Sequence, residues 1–323
     1  MNKRRIGKTD VEVTPIGLGC WQFSQSSSWF SNFWETLNQR TIDEVVATAL
    51  KGGIDWFDTA ELYGRGTSEK GLAAALKTAG VKPGSVRIAT KWWPVLRSAR
   101  TIPANIETRI ACLAPYPVDL YQVHQPWSVS PVPGQMREMA KLLLDHRIRA
   151  VGVSNFSARS MELAHATLAS QGLVLASNRM RFNLLDRHIE RNGVLAAAKR
   201  LGITIIAYSP LAQGVLTGRF HEDPSQVAKV SRMRRMMGTM SPLRLARTAP
   251  LLDELRSIAR AHGVSIAQVA LSWTVSFHGD TVVAIPGASR MAQAEQSAGA
   301  LSVRLSPQEL NRIDELSRKV SSR

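Results

Sequence analysis

The chain contains few cysteines and no long apolar run. Only two of its 323 residues are cysteines. Cys20 and Cys112 stand in apolar surroundings without metal-ligand spacing, which predicts small buried thiols in a reducing compartment and no metal site. No uninterrupted apolar stretch approaches the ~18 residues that a membrane helix needs. These absences argue against a disulfide-stapled secreted domain and predict a protein without a membrane span.

Acidic residues are also scarce, since 25 Asp and Glu face 41 Lys and Arg, for a formal net charge of +16. Such an excess of positive charge can promote binding to nucleic acid, to a membrane surface or to an anionic ligand. The basic residues are dispersed, with one denser group at 229–247, and they are not interleaved with aromatics as in a nucleic-acid groove. The basic N-terminus lacks the apolar segment of a secretory signal. We therefore expect a cytoplasmic protein that binds no nucleic acid.

Several familiar signatures are missing as well. Gly17 and Gly19 end the strand-like run 14–20, but Gln22 stands where a third glycine would complete a dinucleotide-binding fingerprint. The sequence has no P-loop or flavin signature. No run rich in Pro, Ser or Gly divides it, so residues 1–323 are expected to form a single domain.

Strand-like and helical patterns instead alternate along the chain. Eight short apolar segments read as strands, and they are too apolar for a sheet with one face in water. They lie near residues 14–20, 54–57, 86–91, 118–124, 149–154, 174–179, 203–208 and 281–285. With amphipathic helices between them, they predict a (β/α)8 TIM barrel. A short N-terminal β-hairpin (3–6 with 11–13) should precede the barrel, and helices should end the chain. Helix starts are predicted at Thr41, Ser68, Ser265 and Ser306.

Reactive side chains stand where three of these strands end. Asp58 closes the second strand, with Tyr63 five residues on, while Lys91 and His124 close the third and fourth. Catalytic barrels build their sites at the carboxyl ends of their strands, so these four side chains should converge. The alternatives are Asp58 as a loop cap, Tyr63 as packing, Lys91 as a solvated strand end and His124 as a satisfied core histidine.

Five segments in order resemble the aldo-keto reductase family, and the match extends from about residue 3 to residue 320. They are GIDWFDTAELYGRGTSE at 53–69, TK at 90–91, DLYQVH at 119–124, GVSNF at 152–156 and IPGA at 285–288. The resemblance implies a barrel enzyme that reduces aldehydes or ketones with NADPH, with NADH also possible.

The chemistry of carbonyl reduction matches these side chains. Negative charge develops on the carbonyl oxygen, which requires a proton donor and nearby cations. A tyrosine with an ordinary pKa near ~10 is too weak an acid unless a cation lowers that pKa. Lys91 is predicted to be that cation, Asp58 to keep it charged and His124 to hydrogen-bond the substrate oxygen. The resemblance assigns the same roles to Asp58, Tyr63, Lys91 and His124.

The resemblance also implies cofactor-binding positions across the same rim. Tyr208 would stack on the nicotinamide, unless it is simply packed in the core. Arg179 stands where the family usually has a glutamine that contacts the carboxamide, and it either points into the site or turns outward to pair with an acidic neighbour. The remaining cofactor-binding candidates are Ser154, Asn155, Ser209, Leu211, Gly287, Ala288, Ser289, Arg290 and Gln293.

Aromatic residues near the rim suggest the nature of the substrate. The loop 21–40 is rich in aromatics, which form either a self-packed loop core or the wall of a ligand site. Trp21, Trp29, Trp92 and Trp93 are the substrate-binding candidates, and they suggest a hydrophobic, planar carbonyl compound.

The basic, methionine-rich segment 219–247 is too long for a plain connection. It either folds over the cofactor pyrophosphate or forms a mobile loop whose charge aids solubility.

A second functional class is a regulatory binding module on the same scaffold, as in potassium-channel β-subunits. The expected state in solution is a monomer or weak homo-oligomer.

Overall fold

The computed structural model describes residues 1–24, 36–236 and 240–321 and centres on an eight-stranded parallel sheet. Before the sheet, β1 (Arg4–Arg5) pairs antiparallel with β2 (Glu12–Val13), which confirms the predicted hairpin. The sheet strands follow in chain order. They are β3 (Leu18–Gly19), β4 (Trp56–Asp58), β5 (Arg87–Trp92), β6 (Leu120–Val123), β7 (Ala150–Ser154), β8 (Leu175–Arg181), β9 (Thr204–Tyr208) and β10 (Val282–Ile285).

Each sheet strand pairs in parallel with the next strand in the chain, from β3 to β10. Bridges between Ile16 and Ala284 and between Gly19 and Gly287 join the first strand to the last. The sheet therefore closes on itself, and the predicted (β/α)8 barrel is confirmed. The first strand is shorter than the predicted segment 14–20. At Gly17 an added Cβ would lie 2.3 Å from the Trp56 indole, so only glycine allows this close approach.

Helices cover the outside of the barrel. Those between β3 and β9 are α1 (Gln39–Lys51), α2 (Thr67–Thr78), α3 (Ile102–Leu113), α4 (Val132–Leu144), α5 (Ala158–Ala169) and α6 (Val194–Leu201). The later ones are α7 (Arg219–Glu222), α8 (Arg232–Met236), α9 (Pro242–His262), α10 (Ile266–Ser276), α11 (Met291–Gly299) and α12 (Pro307–Ser321). The last two confirm the predicted C-terminal helices. None of the helices in the described residues is long and apolar enough to span a membrane.

Two of the four predicted helix starts are confirmed. Ser265 and Gln268 form a reciprocal capping box before α10, and Ser306 makes the matching pair of bonds with Glu309 before α12. The prediction at Thr41 was wrong, because Asn38 caps α1 and its side chain accepts from the Thr41 amide at 2.9 Å.

The prediction at Ser68 was also wrong. Gly66 precedes α2, and its φ of 98° is one that glycine adopts readily. The fully buried Ser68 hydroxyl instead donates to the Cys20 carbonyl at 2.7 Å. A serine at the right distance from an apolar run is therefore not always the cap.

The apolar core has two layers, as alternation along barrel strands requires. A small cluster inside the barrel combines side chains from the strands with Ile6, Val11 and Val13 of the hairpin, which plugs one end. A much larger cluster fills the space between the sheet and the helices. Successive residues of a strand therefore face different layers, which decides which side chains reach a central site.

The two cysteines are unpaired thiols in different surroundings. Cys20 is buried, as predicted, and burial raises the pKa of its thiol. Cys112 is only partly buried, so the prediction of a buried thiol was wrong there.

Candidate active site

A cavity of about 570 Å³ opens at the end of the barrel where the parallel strands terminate. This is a size typical of small-molecule sites. Most of the predicted site residues line it. They are Trp21, Asp58, Tyr63, Trp93, His124, Asn155, Arg179, Tyr208, Ser209, Leu211, Gly287, Ser289 and Gln293. The convergence follows from the topology, because parallel strands bring their carboxyl ends to one rim.

Asp58 and Lys91 form a fully buried ion pair at the bottom of the cavity. The Lys91 ammonium donates to Asp58 Oδ1 at 2.7 Å and to the Thr59 carbonyl at 2.6 Å. Gln122 donates to the other carboxylate oxygen at 3.1 Å. Burial lowers the pKa of Lys91 to about 8, while the carboxylate of Asp58 opposes that shift. The pair thus places a charged network below the cavity, where an unpaired charge would be costly.

Tyr63 lies above this ion pair and is 5% exposed, yet its ring contacts the cavity. The ring stacks on Trp21 with centroids 6.1 Å apart and meets the His124 ring edge-on at 5.8 Å. Lys91 Nζ lies 5.1 Å from the Tyr63 ring centroid. Burial raises the pKa of the phenol, against the opposing charge of Arg179, so Tyr63 carries its proton at neutral pH.

His124 is held as a neutral imidazole. Burial, followed by the charges of Lys91 and Arg179, holds its pKa well below the usual range. Its ring lies edge-on to Trp93, with centroids 5.4 Å apart, and its buried Nδ1 has no hydrogen-bond partner among the described residues. A neutral imidazole can donate one hydrogen bond and accept another.

Arg179 points into the site, so the alternative of an outward-facing side chain was wrong. Its Nε donates to Asp58 Oδ1 at 3.2 Å, and its Nη2 donates to the Tyr63 hydroxyl at 3.2 Å. The guanidinium carbon lies 4.5 Å from the centroid of the Tyr208 ring. Burial alone would lower the pKa of Arg179, but Tyr63 and Asp58 raise it, so the guanidinium stays charged.

The sequence predicted that Lys91, kept charged by Asp58, is the cation that acts on the Tyr63 hydroxyl. The Asp58–Lys91 ion pair is present. In the described residues the cation that hydrogen-bonds this hydroxyl is Arg179, and Lys91 donates to Asp58 and Thr59. A strand-end lysine was recognisable from sequence, but the direction of its ammonium depended on which neighbours compete for it.

The far end of the cavity is basic. Arg219 and Arg234 line it together with Ser289 and Gln293, and Arg234 Nη2 donates to the Gln213 carbonyl at 2.8 Å. Burial, then the charge of Arg219, lowers the pKa of Arg234 to about 10, so both guanidinium groups remain charged at neutral pH. Segment 219–247 therefore contributes cations to the cavity wall, in line with the first of the two interpretations for it.

Not every predicted position lines the cavity. Trp92 was predicted to bind substrate, and this was wrong: the side chain is fully buried in the outer layer, where its indole donates to Thr101 at 3.1 Å. Its neighbour Lys91 points inward, so strand alternation turns Trp92 outward. Trp29 lies outside the described residues.

Three cofactor candidates do not line the cavity. Ser154 and Ala288 are fully buried, and the Ser154 hydroxyl accepts from the Asn155 side chain at 3.2 Å. Arg290 is exposed before α11 and does not line the cavity, although its charge acts on Arg219. Ser154 and Ala288 therefore support the cavity wall, and Arg290 contributes positive charge near it.

Several lining residues were not predicted as site residues. Gln125 directly follows His124 at a strand end, so its position was a usable signal. Most of the others lie on loops or helices, where single-sequence patterns do not indicate which side chains face inward. They include Gln22, Leu62, Gln213, Thr217, Gln296 and Ser297.

Among the described residues, no group of three or more His, Cys, Asp or Glu side chains is arranged to hold a metal ion.

Comparisons with known proteins agree with this architecture. The model of the Aldo/keto reductase family matches residues 15–318. An uncharacterized oxidoreductase of Mycobacterium tuberculosis is 36% identical over 307 residues, which is 95% of this chain and 90% of that protein.

Solved structures share the fold over almost the whole chain. The glycerol dehydrogenase of Gluconobacter oxydans is 25% identical, with a TM-score of 0.79 over 99% of this chain and 96% of that one. An aldo/keto reductase of Klebsiella pneumoniae, solved with NADP and acetate, is 23% identical, with a TM-score of 0.74 over 98% of this chain and 95% of that one.

Proposed function

The chain belongs to the aldo/keto reductase family, and from this premise we propose that it reduces an aldehyde or ketone to an alcohol with NADPH as the reductant and Tyr63 as the proton donor. One observation carries the proposal. A protonated tyrosine lines a deep cavity beside a buried Asp58–Lys91 pair, a neutral His124 and the charged Arg179. These are the groups that reduction of a carbonyl requires.

The cavity residues fit a nicotinamide dinucleotide. Two guanidinium groups, Arg219 and Arg234, line the end where phosphates would be held, and phosphate oxygens are their preferred partners. Gln22 packs directly on the Gly287 backbone, where an added Cβ would lie 2.2 Å from its side-chain nitrogen. The buried Oε1 of Gln22 has no hydrogen-bond partner in the described part of the chain, so it is available to a ligand in the cavity. The Klebsiella protein of the same fold was solved with NADP. When bound, the cofactor supplies a hydride, which no side chain can provide.

The remaining wall residues would orient the nicotinamide end of the cofactor. Asn155 accepts from the Tyr208 hydroxyl at 3.0 Å, so the amide and the ring are held together. Tyr208 lines the cavity, and Ser209 and Leu211 follow it along the same wall. Gly287, Ser289 and Gln293 would contact the adenosine end.

Each residue at the bottom of the cavity then has a defined task. His124 donates a hydrogen bond to the substrate oxygen and holds the carbonyl in place. Tyr63 gives its proton to that oxygen as negative charge develops there. Asp58 anchors Lys91 beneath the phenol, so positive charge remains close to the tyrosinate that forms.

The substrate-facing wall is aromatic. Trp21 stacks on Tyr63, Trp93 packs against His124, and Leu62 completes the apolar surface. We propose that the substrate is a hydrophobic carbonyl compound whose flat part lies between these rings.

Other sequence predictions are not tested by the structure. A single domain over residues 1–323, a monomer or weak homo-oligomer and a cytoplasmic location stay predictions.

Replacing Tyr63 by phenylalanine tests the assignment. Tyr63→Phe removes the donor and keeps the ring packing, so kcat should fall by roughly 10²-fold or more while the Kd for NADPH stays within about threefold. NADPH consumption is followed with a panel of aromatic and aliphatic aldehydes and ketones. Turnover that is unchanged in the variant would remove Tyr63 from the mechanism.

A further inference from the structure

Arg179 reaches from β8 to the hydroxyl that the proposed reaction uses. The side chain is 10% exposed and is fixed at three points. It donates to Asp58 and to the Tyr63 hydroxyl, and it lies over the Tyr208 ring. A planar guanidinium group with several contacts can rotate little, so its position relative to Tyr63 is well determined.

The direction of the Arg179–Tyr63 hydrogen bond fixes where the phenol proton can go. A guanidinium has donors and no acceptor, so the Tyr63 oxygen must accept. The phenol proton is then left to donate elsewhere. Within the described ranges the Tyr63 hydroxyl donates to no protein group, and the residue lines the cavity. Its proton is therefore available to a ligand in the cavity.

The positive charge of Arg179 favours the loss of that proton. Lys91 and Arg179 both donate to the same oxygen of Asp58, at 2.7 and 3.2 Å. Two buried cations against one carboxylate leave an uncompensated positive charge beside the phenol. Formation of a tyrosinate would balance it. Opposite charges in hydrogen-bond contact interact far more strongly at a dry site than in water.

We propose that Arg179 is a positioning residue for proton transfer: it aims the Tyr63 proton at the substrate oxygen and stabilises the tyrosinate that remains. The proposal rests on the proposed function. In this step, the carbonyl carbon takes a hydride with its electron pair from NADPH, which leaves NADP⁺. The π pair of the carbonyl moves to oxygen, and that oxygen takes the proton from Tyr63. Arg179 keeps its own protons throughout.

A pH-dependent test must account for every group that faces Tyr63. Those groups come from the loop after β3 and from strands around the barrel. They are Cys20, Asp58, Lys91, His124, Arg179 and Tyr208. Among the charges acting on the Tyr63 pKa, Arg179 opposes burial most strongly. Removal of its charge should therefore raise that pKa further.

The ionisation of Tyr63 can be observed without turnover. The chain has only four tyrosines, so replacing them with the more acidic difluorotyrosine gives few fluorine NMR signals. A Tyr63→Phe control assigns the Tyr63 signal. Its titration is then compared in wild type, Arg179→Gln and Arg179→Lys, each checked for folding by circular dichroism.

We expect the Tyr63 signal of Arg179→Gln to titrate about one pH unit or more above that of wild type. Arg179→Lys keeps the positive charge but lacks the planar guanidinium group. Its Tyr63 titration midpoint should return toward the wild-type value. The alkaline limb of the alcohol-oxidation pH profile should shift in the same order. An unchanged or lower titration midpoint in the glutamine variant would overturn the proposal.

Two further outcomes are separable. If the glutamine variant does not fold, a crystal structure of the wild type decides: Arg179 Nη2 beyond hydrogen-bond distance of the Tyr63 oxygen overturns the proposal, and contact supports it. If wild type consumes no NADPH with any carbonyl compound, the proposed reductase function fails. The fluorine titration still reports whether Arg179 acts on Tyr63.

Discussion

At the residue scale, Arg179 places a fixed positive charge near the expected position of the nicotinamide ring. Oxidised nicotinamide is itself cationic, whereas the reduced ring is neutral. One elementary charge several ångströms away is worth about 1–2 kcal/mol at intermediate dielectric, or about tenfold in relative affinity. Arg179 should therefore weaken NADP⁺ binding relative to NADPH and favour release of the oxidised cofactor.

Titration of both cofactor forms tests this charge effect. Arg179→Gln should bind NADP⁺ about tenfold better relative to NADPH than wild type does. Arg179→Lys is the matched control because it retains the charge, and its affinity ratio should stay close to that of wild type. Equal ratios in all three proteins would refute the effect.

Sequence alone could name the charged residues of the site and one of their contacts. Asp58, Lys91 and His124 were recognisable because each closes an apolar strand, and Asp58 was predicted as the partner of Lys91. The contacts of Arg179 were not predictable, because they depend on how two cations share one carboxylate in three dimensions. Likewise, Trp92 and Trp93 are adjacent tryptophans that the sequence gives no reason to distinguish. Side chains alternate along the chain at the end of β5, so Trp92 packs in the outer core and Trp93 lines the cavity.

At the scale of elements, α2 and α3 are joined to β5 by a buried polar cluster. Glu69 accepts from Arg109 at 2.7 Å and from the Thr90 hydroxyl at 2.5 Å, and its side chain is fully buried. Burial raises the pKa of Glu69 to about 7, while the charge of Arg109 opposes the shift. The cluster fixes the helix that directly follows Tyr63.

Loss of Arg109 should destabilise the fold most at high pH. In Arg109→Met the opposing charge is gone, so the pKa of Glu69 rises above about 7. A folded-state pKa above the unfolded value means that stability falls as pH rises toward the folded pKa. The extra loss relative to wild type therefore appears above about pH 7. The loss of unfolding free energy should reach about 3–5 kcal/mol, as for other buried ion pairs that lose one partner.

Urea unfolding at a series of pH values measures this effect. The control is the double variant Glu69→Gln with Arg109→Met, in which no buried carboxylate remains to ionise. Its free energy of unfolding should lose the additional pH dependence. A single variant whose loss of stability is the same on both sides of neutrality would contradict the account.

Helix starts show what local sequence can and cannot specify. The boxes at Ser265 and Ser306 need only residues three apart, so the local pattern was sufficient. At Ser68 the hydroxyl contacts Cys20 and Thr59, which lie 48 and 9 residues away in the sequence. The Ser68 side chain therefore makes tertiary hydrogen bonds instead of capping α2 as the local pattern had predicted.

At the scale of the whole molecule, the barrel was predictable because the alternation of strands and helices repeats around the chain. The residues of the cavity wall were less predictable. Arg234 reaches the cavity through a contact with the Gln213 carbonyl, and that contact depends on how segment 219–247 packs on the barrel. Strand-end positions follow from topology, whereas loop positions follow from packing that no periodicity encodes.

In the proposed function, the whole barrel supports hydride transfer from NADPH to a carbonyl carbon, with Tyr63 supplying the proton. The most direct measurement uses NADPH deuterated at the transferred position, an aldehyde substrate and mass spectrometry of the product. The account predicts an alcohol with one deuterium on the former carbonyl carbon, formed by wild type and nearly lost in Tyr63→Phe. NADPH oxidation that leaves the alcohol carbon without deuterium, or equal product from the variant, would contradict it.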